Sequence, residues 1–372
     1  MKEIKFSKLE INNTDIKSVE KILKSGWITH GKYTTNFEKE FSNFTDSKYA
    51  ITVSSCTAGL HLSCIAANFK KGDEVLVPAQ THTATAHAVE YCGAKPVFVD
   101  VEKLTGNIDV NILEKKITKK TKGIIVVHMA GYPCEIRKII KICKKNKLKL
   151  IEDCAHAVGT NYRNKHVGNF GISGCFSFYP TKQVTTGEGG MVVTNNIKIF
   201  KKLKMLKAFG IDKDINERKI PGDYDVKLLG YNFRMTDFQA ALGLFQIKRY
   251  KKNLEARKKI AKYYSQILKK NSSIKFPKFN KESSYFIFQI FVKRRNYIID
   301  QLKKNKIGTS IHYMRPVSNM TYYKNKYKLK VKDFLNATEY GEQNISLPNY
   351  PKLQKQEIKR ICEVILRCVN EK

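Results

Sequence analysis

Residues 174–194 read GCFSFYPTKQVTTGEGGMVVT, and the fold of the chain turns on how that stretch is parsed. The aromatic run at 175–178 has the composition of a strand, and Pro180, which has no N–H to donate to a ladder, closes it. Lys182 follows, then the glycine-rich turn Gly187-Glu188-Gly189-Gly190, then a second apolar strand at 191–194. In a chain with 58 lysines any one of them faces solvent by default. Lys182 differs in context: it sits at a strand end, flanked by a tight turn, where desolvation lowers an amine's pKa towards nucleophilic use.

Outward from this stretch, short β-rich runs alternate with helical patterns. Strands are expected at 50–53, 74–77, 96–99, 124–128 and 148–152, with helices at 58–68 and 135–146. In the second helix Ile136, Ile139, Ile140 and Cys143 fall at i, i+3, i+4 and i+7. Such alternation argues for a three-layer α/β/α domain on a mostly parallel sheet. A helix at 236–250 opens with Thr236 and Gln239 at capping-box spacing. Beyond it come a Lys-rich helix, strands near 285–292, a further helix and a closing amphipathic helix at 354–369. That pattern divides the chain into a large domain, 1–250, and a smaller C-terminal α+β domain, 251–372. The polar stretch 211–230, with Pro221 and Gly222, is the expected mobile loop.

The formal charge is +36, from 69 Lys+Arg against 33 Asp+Glu, which invites a polyanion partner. Only 11 of the cations are arginine, and the lysines spread along the whole length, so the charge reads as composition rather than as a binding patch. Apolar runs are far shorter than the ~18–20 residues of a membrane span. The N-terminal MKEIKFSKLE has no export pattern, and the nine cysteines show no CxxC; Cys64, Cys143 and Cys362 lie in apolar stretches as small buried hydrophobes. A cytoplasmic protein without a membrane or specific nucleic-acid partner is expected.

In open α/β sheets ligands bind beyond the carboxyl ends of the strands. Two further strand ends carry chemistry. In ITVSSCTAGLHL, residues 51–62, a strand runs through Ser54–Gly59 into a helix, which offers free N–H groups to a phosphate or simply an N-cap. In LKLIEDCAHAVG, residues 148–159, an apolar strand delivers Asp153 three residues before His156; the carboxylate is suited to a metal, a helix cap or a protonated ring nitrogen. A phosphate seat, a carboxylate and a lysine together are the contacts that pyridoxal 5′-phosphate (PLP) demands.

With these blocks and five more (SGWITHGKYTTNFEKEF, GDEVLVPAQTHTATAHAV, PVFVDVE, GYNFRMTDFQAALG and IGTSIHYMRP), the chain resembles the DegT/DnrJ/StrS family of PLP-dependent nucleotide-sugar aminotransferases, of the aspartate-aminotransferase fold type, over nearly its whole length. The resemblance implies that Lys182 bonds the cofactor aldehyde and that Asp153 pairs with the ring nitrogen. It places His156 near the ring, and the backbone of Thr57 and Ala58 with the Ser177 hydroxyl on the phosphate. It implies that Asn232 reaches the phosphate of a partner subunit's site, hence a homodimer with shared sites. It further implies that Thr29, Gly31, Glu188, His312 and Tyr313 line the substrate pocket, with a structural role open for Glu188. The implied reaction moves the amino group of L-glutamate to a nucleotide-linked keto-deoxy sugar, 4-keto favoured over 3-keto, with the cofactor cycling through pyridoxamine phosphate in amino-sugar synthesis for surface glycans. The alternatives are a cyclitol aminotransferase or another PLP ketosugar enzyme and, more distantly, a basic regulatory or nucleic-acid-binding protein on the same fold.

Two positions depart from the family pattern. His82 stands where an aromatic commonly stacks on the cofactor ring, which suggests a pH-sensitive ring contact or a flat polar substitute. Cys56 stands where glycine is common, which puts a positive φ at that position in question. Lys182 itself is retained where some relatives carry histidine and act as dehydratases, so transamination is favoured.

Overall fold

The computed structural model describes residues 2–371. Two helices, α1 (Asn13–Ser25) and α2 (Lys32–Thr45), precede the first strand. Strand and helix then alternate through β1 (Tyr49–Val53), α3 (Cys56–Ala66), β2 (Glu74–Pro78), α4 (Thr83–Glu90), β3 (Lys95–Val99), the short α5 (Val110–Leu113), β4 (Thr121–Val127), α6 (Ile136–Lys145) and β5 (Lys149–Asp153). A two-residue-armed hairpin, β6 (Asn161–Tyr162) and β7 (Lys165–His166), leads to β8 (Ser173–Ser177), β9 (Gly190–Thr194) and α7 (Ile197–Leu206).

Seven of these strands form one sheet in the order β1-β9-β8-β5-β4-β2-β3. The pairs β2/β3, β2/β4, β4/β5 and β5/β8 are parallel, while β9 runs antiparallel to both its neighbours. All seven strands expected from the sequence are present, with ends shifted by one to three residues. Parallel strands are buried on both faces, and β4 shows the consequence. Ile125 faces a core shared with α3 and α4, while Ile124 and Val126 face the core under α6. Phe37 and Phe41 of α2 cover the sheet's other end, where their rings meet Phe178 and Phe176 at 5.1 and 5.0 Å.

The helix expected at 236–250 is α8 (Asp237–Leu268), 32 residues long and unbroken past residue 250. Its first half buries Leu244, Ile247 and Tyr250 against the large sheet's core. Its second half buries Ile260, Ala261, Tyr264 and Leu268 in a separate core, formed with the antiparallel pair β10 (Phe288–Phe291) and β11 (Asn344–Leu347) and with α9 (Arg295–Lys304) and α12 (Lys355–Asn370). The segment between these elements carries α10 (Thr321–Tyr327) and α11 (Leu335–Gln343). The division expected at 250/251 thus falls inside a helix that serves both cores. Arg249 on α8 forms a two-pronged ion pair with the buried Asp15 of α1, at 2.8 and 2.5 Å. Among the described residues, no helix is long and apolar enough to cross a membrane.

The fold gathers its functional segments by one rule. The chain exits β1, β2, β5 and β8 at the same edge of the sheet, and the segments that follow are 54–58, 79–82, 153–156 and 178–182. From the C-terminal half, residues 312–317 reach over this edge, where Val317 N–H donates to the Ala79 carbonyl at 2.9 Å.

Candidate active site

Beyond that edge lies a cavity of about 450 Å³ lined by residues of six segments, among them Cys56, Thr57, His82, Asp153, Ser177, Lys182, Glu188, His312 and Tyr313. On one side the N-terminus of α3 opens into it. Ser55 caps the helix, its Oγ accepting from the Ala58 N–H at 3.1 Å, so that amide is committed to the protein while Thr57 lines the cavity. The unpaired N–H groups of a helix's first turn make an anion seat. Gly190 lets β9 approach this turn: a Cβ there would lie 2.6 Å from the Cys56 nitrogen. Cys56 is the first residue of α3 and is not among the positive-φ residues, so cysteine is compatible with the turn. The Ser177 hydroxyl, at the end of β8, accepts weakly from the Tyr179 N–H at 3.4 Å and borders the same seat.

The carboxylate of Asp153 forms the cavity's floor and is 3% exposed. Burial pushes its pKa up, opposed by the N–H of Ala155 at 3.0 Å, the Thr85 hydroxyl at 2.8 Å and the charge of Lys182. Lys182 is half-buried, with Nζ 4.6 Å from the centre of the Phe286 ring. Burial lowers its pKa to about 8, against the pull of Cys56 and Asp153 towards the charged form.

His82 is the N-cap of α4: its Nδ1 accepts from the Ala84 N–H at 3.2 Å. Burial lowers its pKa from the ordinary histidine value, against the pull of the Asp153 carboxylate towards the charged form. His156 lies behind the cavity wall, stacked on Phe286 at 4.6 Å, and burial with the nearby Lys182 and His312 holds it well below the usual histidine range. His312, bonded through Nδ1 to Ser346 Oγ at 3.0 Å, is lowered to about 3, also by burial.

The structure therefore brings Thr57, His82, Asp153, Ser177, Lys182, Glu188, His312 and Tyr313 to one cavity, with Ala58 and His156 directly behind it. Glu188 is exposed in its turn, its backbone carbonyl held by Thr186 and Gln239. Thr29, Gly31 and Asn232 do not line this cavity. Thr29 O accepts from Asp237 N–H at 2.9 Å, and a Cβ on Gly31 would stand 2.9 Å from Asp237 Oδ2, so both pack on the start of α8. Asn232 accepts from Arg234 Nε at 3.2 Å beside a cleft of about 520 Å³ that includes His30, Phe209, Tyr224 and Arg234. Sequence reasoning missed Thr85, Phe286 and Gln80. Thr85 and Gln80 lie inside the AQTHTATAHAV block, which was their available signal; Phe286 comes from a distant apolar run that carries none.

The arrangement fits PLP by its donor set: an anion seat that a Cβ at Gly190 would obstruct, a buried carboxylate with a free side towards the cavity, and an amine of lowered pKa. Comparisons with known proteins agree with this geometry. The profile of the DegT/DnrJ/EryC1/StrS aminotransferase family matches residues 9–366. The uncharacterised protein MJ1066 of Methanocaldococcus jannaschii is 40% identical, over 97% of this chain and 96% of its own. GDP-perosamine synthase of Escherichia coli O157:H7 is 34% identical over the full length of both. Among solved structures, Helicobacter pylori PseC, an aminotransferase involved in the biosynthesis of pseudoaminic acid, superimposes with a TM-score of 0.92 at 30% identity over all of both chains. A putative sugar aminotransferase of Streptococcus pneumoniae, Spr1654 in its PLP form, gives 0.90 at 31% identity over 97% of each chain.

Proposed function

Since the chain belongs to the DegT/DnrJ/EryC1/StrS aminotransferase family, we propose that it is a PLP-dependent enzyme that moves the amino group of L-glutamate to a nucleotide-linked keto-deoxy sugar. The observation that carries this reading is the pairing of Lys182 and Asp153 across one cavity that also presents the start of α3. The 4-keto preference rests on the segment His312–Pro316, which resembles the pocket segment of members acting at that carbon. The product is an amino sugar for surface glycans, made in the cytoplasm.

PLP, when bound, supplies an electrophilic aldehyde and a pyridinium ring that accepts electrons. Thr57, Ser177 and the first turn of α3 hold its phosphate. Asp153 would face the ring nitrogen and favour its protonated form, because a buried carboxylate stabilises a positive partner beside it. Thr85 and Ala155 fix both carboxylate oxygens, so the acid stays aimed as charge changes in front of it. Lys182 would bond the aldehyde at rest and, as a free amine in the same cavity, would hold and return the proton moved at the substrate carbon. A pKa of about 8 gives it useful populations of both the base and the acid form near neutral pH. His156 and His312, both neutral, back or line the site without adding cations that would repel the lysine's proton, and burial pushes His82 in the same direction.

We further propose that two copies share sites through Asn232. It is outside its own chain's cavity, and the neighbouring loop exposes Tyr224, Val226 and Leu229, the last at 85%. Such apolar exposure marks an interaction surface. The test is a purified holoenzyme given L-glutamate and a panel of nucleotide 4-keto and 3-keto sugars, with the new amine located by NMR. A free keto-inositol as the preferred acceptor would overturn the sugar assignment. Lys182→Ala should abolish both the visible absorbance of the lysine-bound cofactor and turnover. For the shared sites, mixing Lys182→Ala with Asn232→Ala should restore activity in mixed dimers, and its absence would refute them.

A further inference from the structure

We propose that Tyr313 is the proton shuttle for the oxygen lost or gained during amino transfer, with its hydroxyl aimed by the neutral imidazole of His156. This rests on the aminotransferase reading of the same cavity and adds to it a second acid–base group beside Lys182.

The tyrosine is held at several points. Its carbonyl accepts from Gln80 Nε2 at 2.7 Å, and the preceding carbonyl, of His312, accepts from Gln289 Nε2 at 3.1 Å. Gln289 is itself fixed by the Tyr340 hydroxyl at 2.7 Å. The Tyr313 ring meets the edge of His82 with centroids 5.7 Å apart, and its hydroxyl lies 3.2 Å from His156 Nε2. A surface-type tyrosine would not be anchored on the large sheet, β10 and α11 at once.

The geometry decides which atom carries the proton. His156 Nδ1 faces the backbone N–H of Ala130 at 3.3 Å and must accept there. The neutral ring therefore bears its hydrogen on Nε2, which donates to the tyrosine oxygen. Burial, with Lys182, His312 and His82 around it, keeps the ring from taking a second proton. The Tyr313 O–H is then left to point into the cavity that holds Lys182 and Asp153. A hydroxyl that accepts a hydrogen bond is a better donor of its own proton. Burial keeps the phenol protonated before reaction, raising its pKa.

The chemistry needs such a group. When an amine condenses with a ketone, a C–N bond forms, the C–O bond breaks, and the oxygen leaves as water carrying both protons of the amine nitrogen. Those protons must cross from nitrogen to oxygen. Tyr313 gives its proton to the oxygen and takes one from the nitrogen twice, once as the C–N bond forms and again as the C–O bond breaks, so that both protons cross, and His156 Nε2–H holds the phenolate in between each time. Release of the keto acid from the amino donor runs the same exchange in reverse, with water adding. No other reactant is consumed.

The test pairs kinetics with two readouts that do not depend on turnover. Tyr313→Phe keeps the ring and its packing, and should slow the single-turnover release of 2-oxoglutarate from L-glutamate by about 10²–10⁴-fold, the usual span for one general acid–base group. PLP affinity, titrated by absorbance, should stay within about threefold. In the ¹⁵N-histidine spectrum of the apoenzyme, the His156 signal, assigned with His156→Gln, should show the Nε2–H tautomer from pH 6 to 9 and should move in Tyr313→Phe. His156→Gln should retain more activity than His156→Ala, because the amide can still donate to the hydroxyl. Wild-type rates in Tyr313→Phe, or a His156 that carries its proton on Nδ1, would overturn the proposal while leaving the aminotransferase reading intact. A wild-type holoenzyme that yields no keto acid from glutamate, alanine or aspartate would overturn both.

Discussion

The lowered pKa of Lys182 makes a quantitative prediction about how the apoenzyme captures its cofactor. Only the neutral amine attacks an aldehyde. With a pKa of about 8, roughly one lysine in ten is neutral at pH 7 and roughly one in a hundred at pH 6, whereas an unperturbed lysine near 10.5 would offer roughly one in three thousand at pH 7. The second-order rate of PLP capture, followed by stopped-flow absorbance, should therefore rise with pH, bend near 8 and level off above about 9. The sign of the main cause can be checked in the same assay. Burial favours the neutral form, and the Asp153 carboxylate opposes it by favouring the ammonium. Asp153→Asn should then move the bend to lower pH while weakening retention of the bound cofactor. A capture rate that still climbs in proportion to hydroxide between pH 8.5 and 10 would show a lysine in ordinary water, and the cavity assigned to it would be wrong.

Three further outcomes follow from buried contacts. The Glu152 carboxylate accepts from His128 Nε2 and from the N–H groups of Gly168, Phe170 and Gly171, at 2.7 to 3.1 Å, and these hold its pKa below the usual value despite burial. Glu152→Gln turns an NH₂ towards those donors and should cost about 3 kcal/mol in urea unfolding at pH 7. Because the folded-state pKa is depressed, this contribution is present above about pH 4.5 and fades as the pH falls through the folded value, so the two unfolding curves should converge in acid. Gly190→Ala drives a methyl against the Cys56 and Ser55 backbone and should cost about 1–3 kcal/mol by the same assay. It should also weaken PLP binding, whereas an equal loss of stability with unchanged affinity would separate the turn from the anion seat. Arg249→Met strands the buried Asp15 and should destabilise by about 3 kcal/mol; restoration in Asp15→Asn/Arg249→Met would confirm the charge as the cause, and a neutral single variant would refute the pair's role.

What the sequence made legible divides along a physical line between local and long-range determinants. The seven strands and the loops at their ends were readable because a buried parallel strand is an uninterrupted apolar run, and its exit must be a cap or a tight turn, both written in consecutive residues. Lys182, Asp153 and the Ser54–Gly59 turn belong to that class. The length of α8 was legible in principle and was still missed. Leu254, Ala261, Tyr264 and Leu268 continue the helical stripe past Tyr250, and 251–268 holds neither Gly nor Pro; only the change to a Lys-rich surface suggests an end at 250, and a solvated face does not break a helix. The first two helices carry apolar residues at helical spacing, Ile16, Val19, Ile22 and Leu23 in α1 and Tyr33, Phe37, Phe41 and Phe44 in α2, but the sequence does not show what holds them: α1 buries Ile22 as its one large apolar side chain and is held by Arg249, more than two hundred residues away. The same limit applies at the site. Nothing in the run SSYFIF marks Phe286 as the ring beneath both His156 and Lys182. The AQTHTATAHAV block draws attention to Gln80, but it does not say that the Gln80 amide anchors the Tyr313 carbonyl. These contacts cross between the two cores, so their partners are set by how the C-terminal half docks, which no window of the chain encodes. The residues that bear charge in the site were thus legible, and the residues that aim them were not. The tautomer of His156, and with it which of the site's hydroxyls keeps a proton to give, is set by the backbone N–H of Ala130, a contact that no side-chain pattern announces.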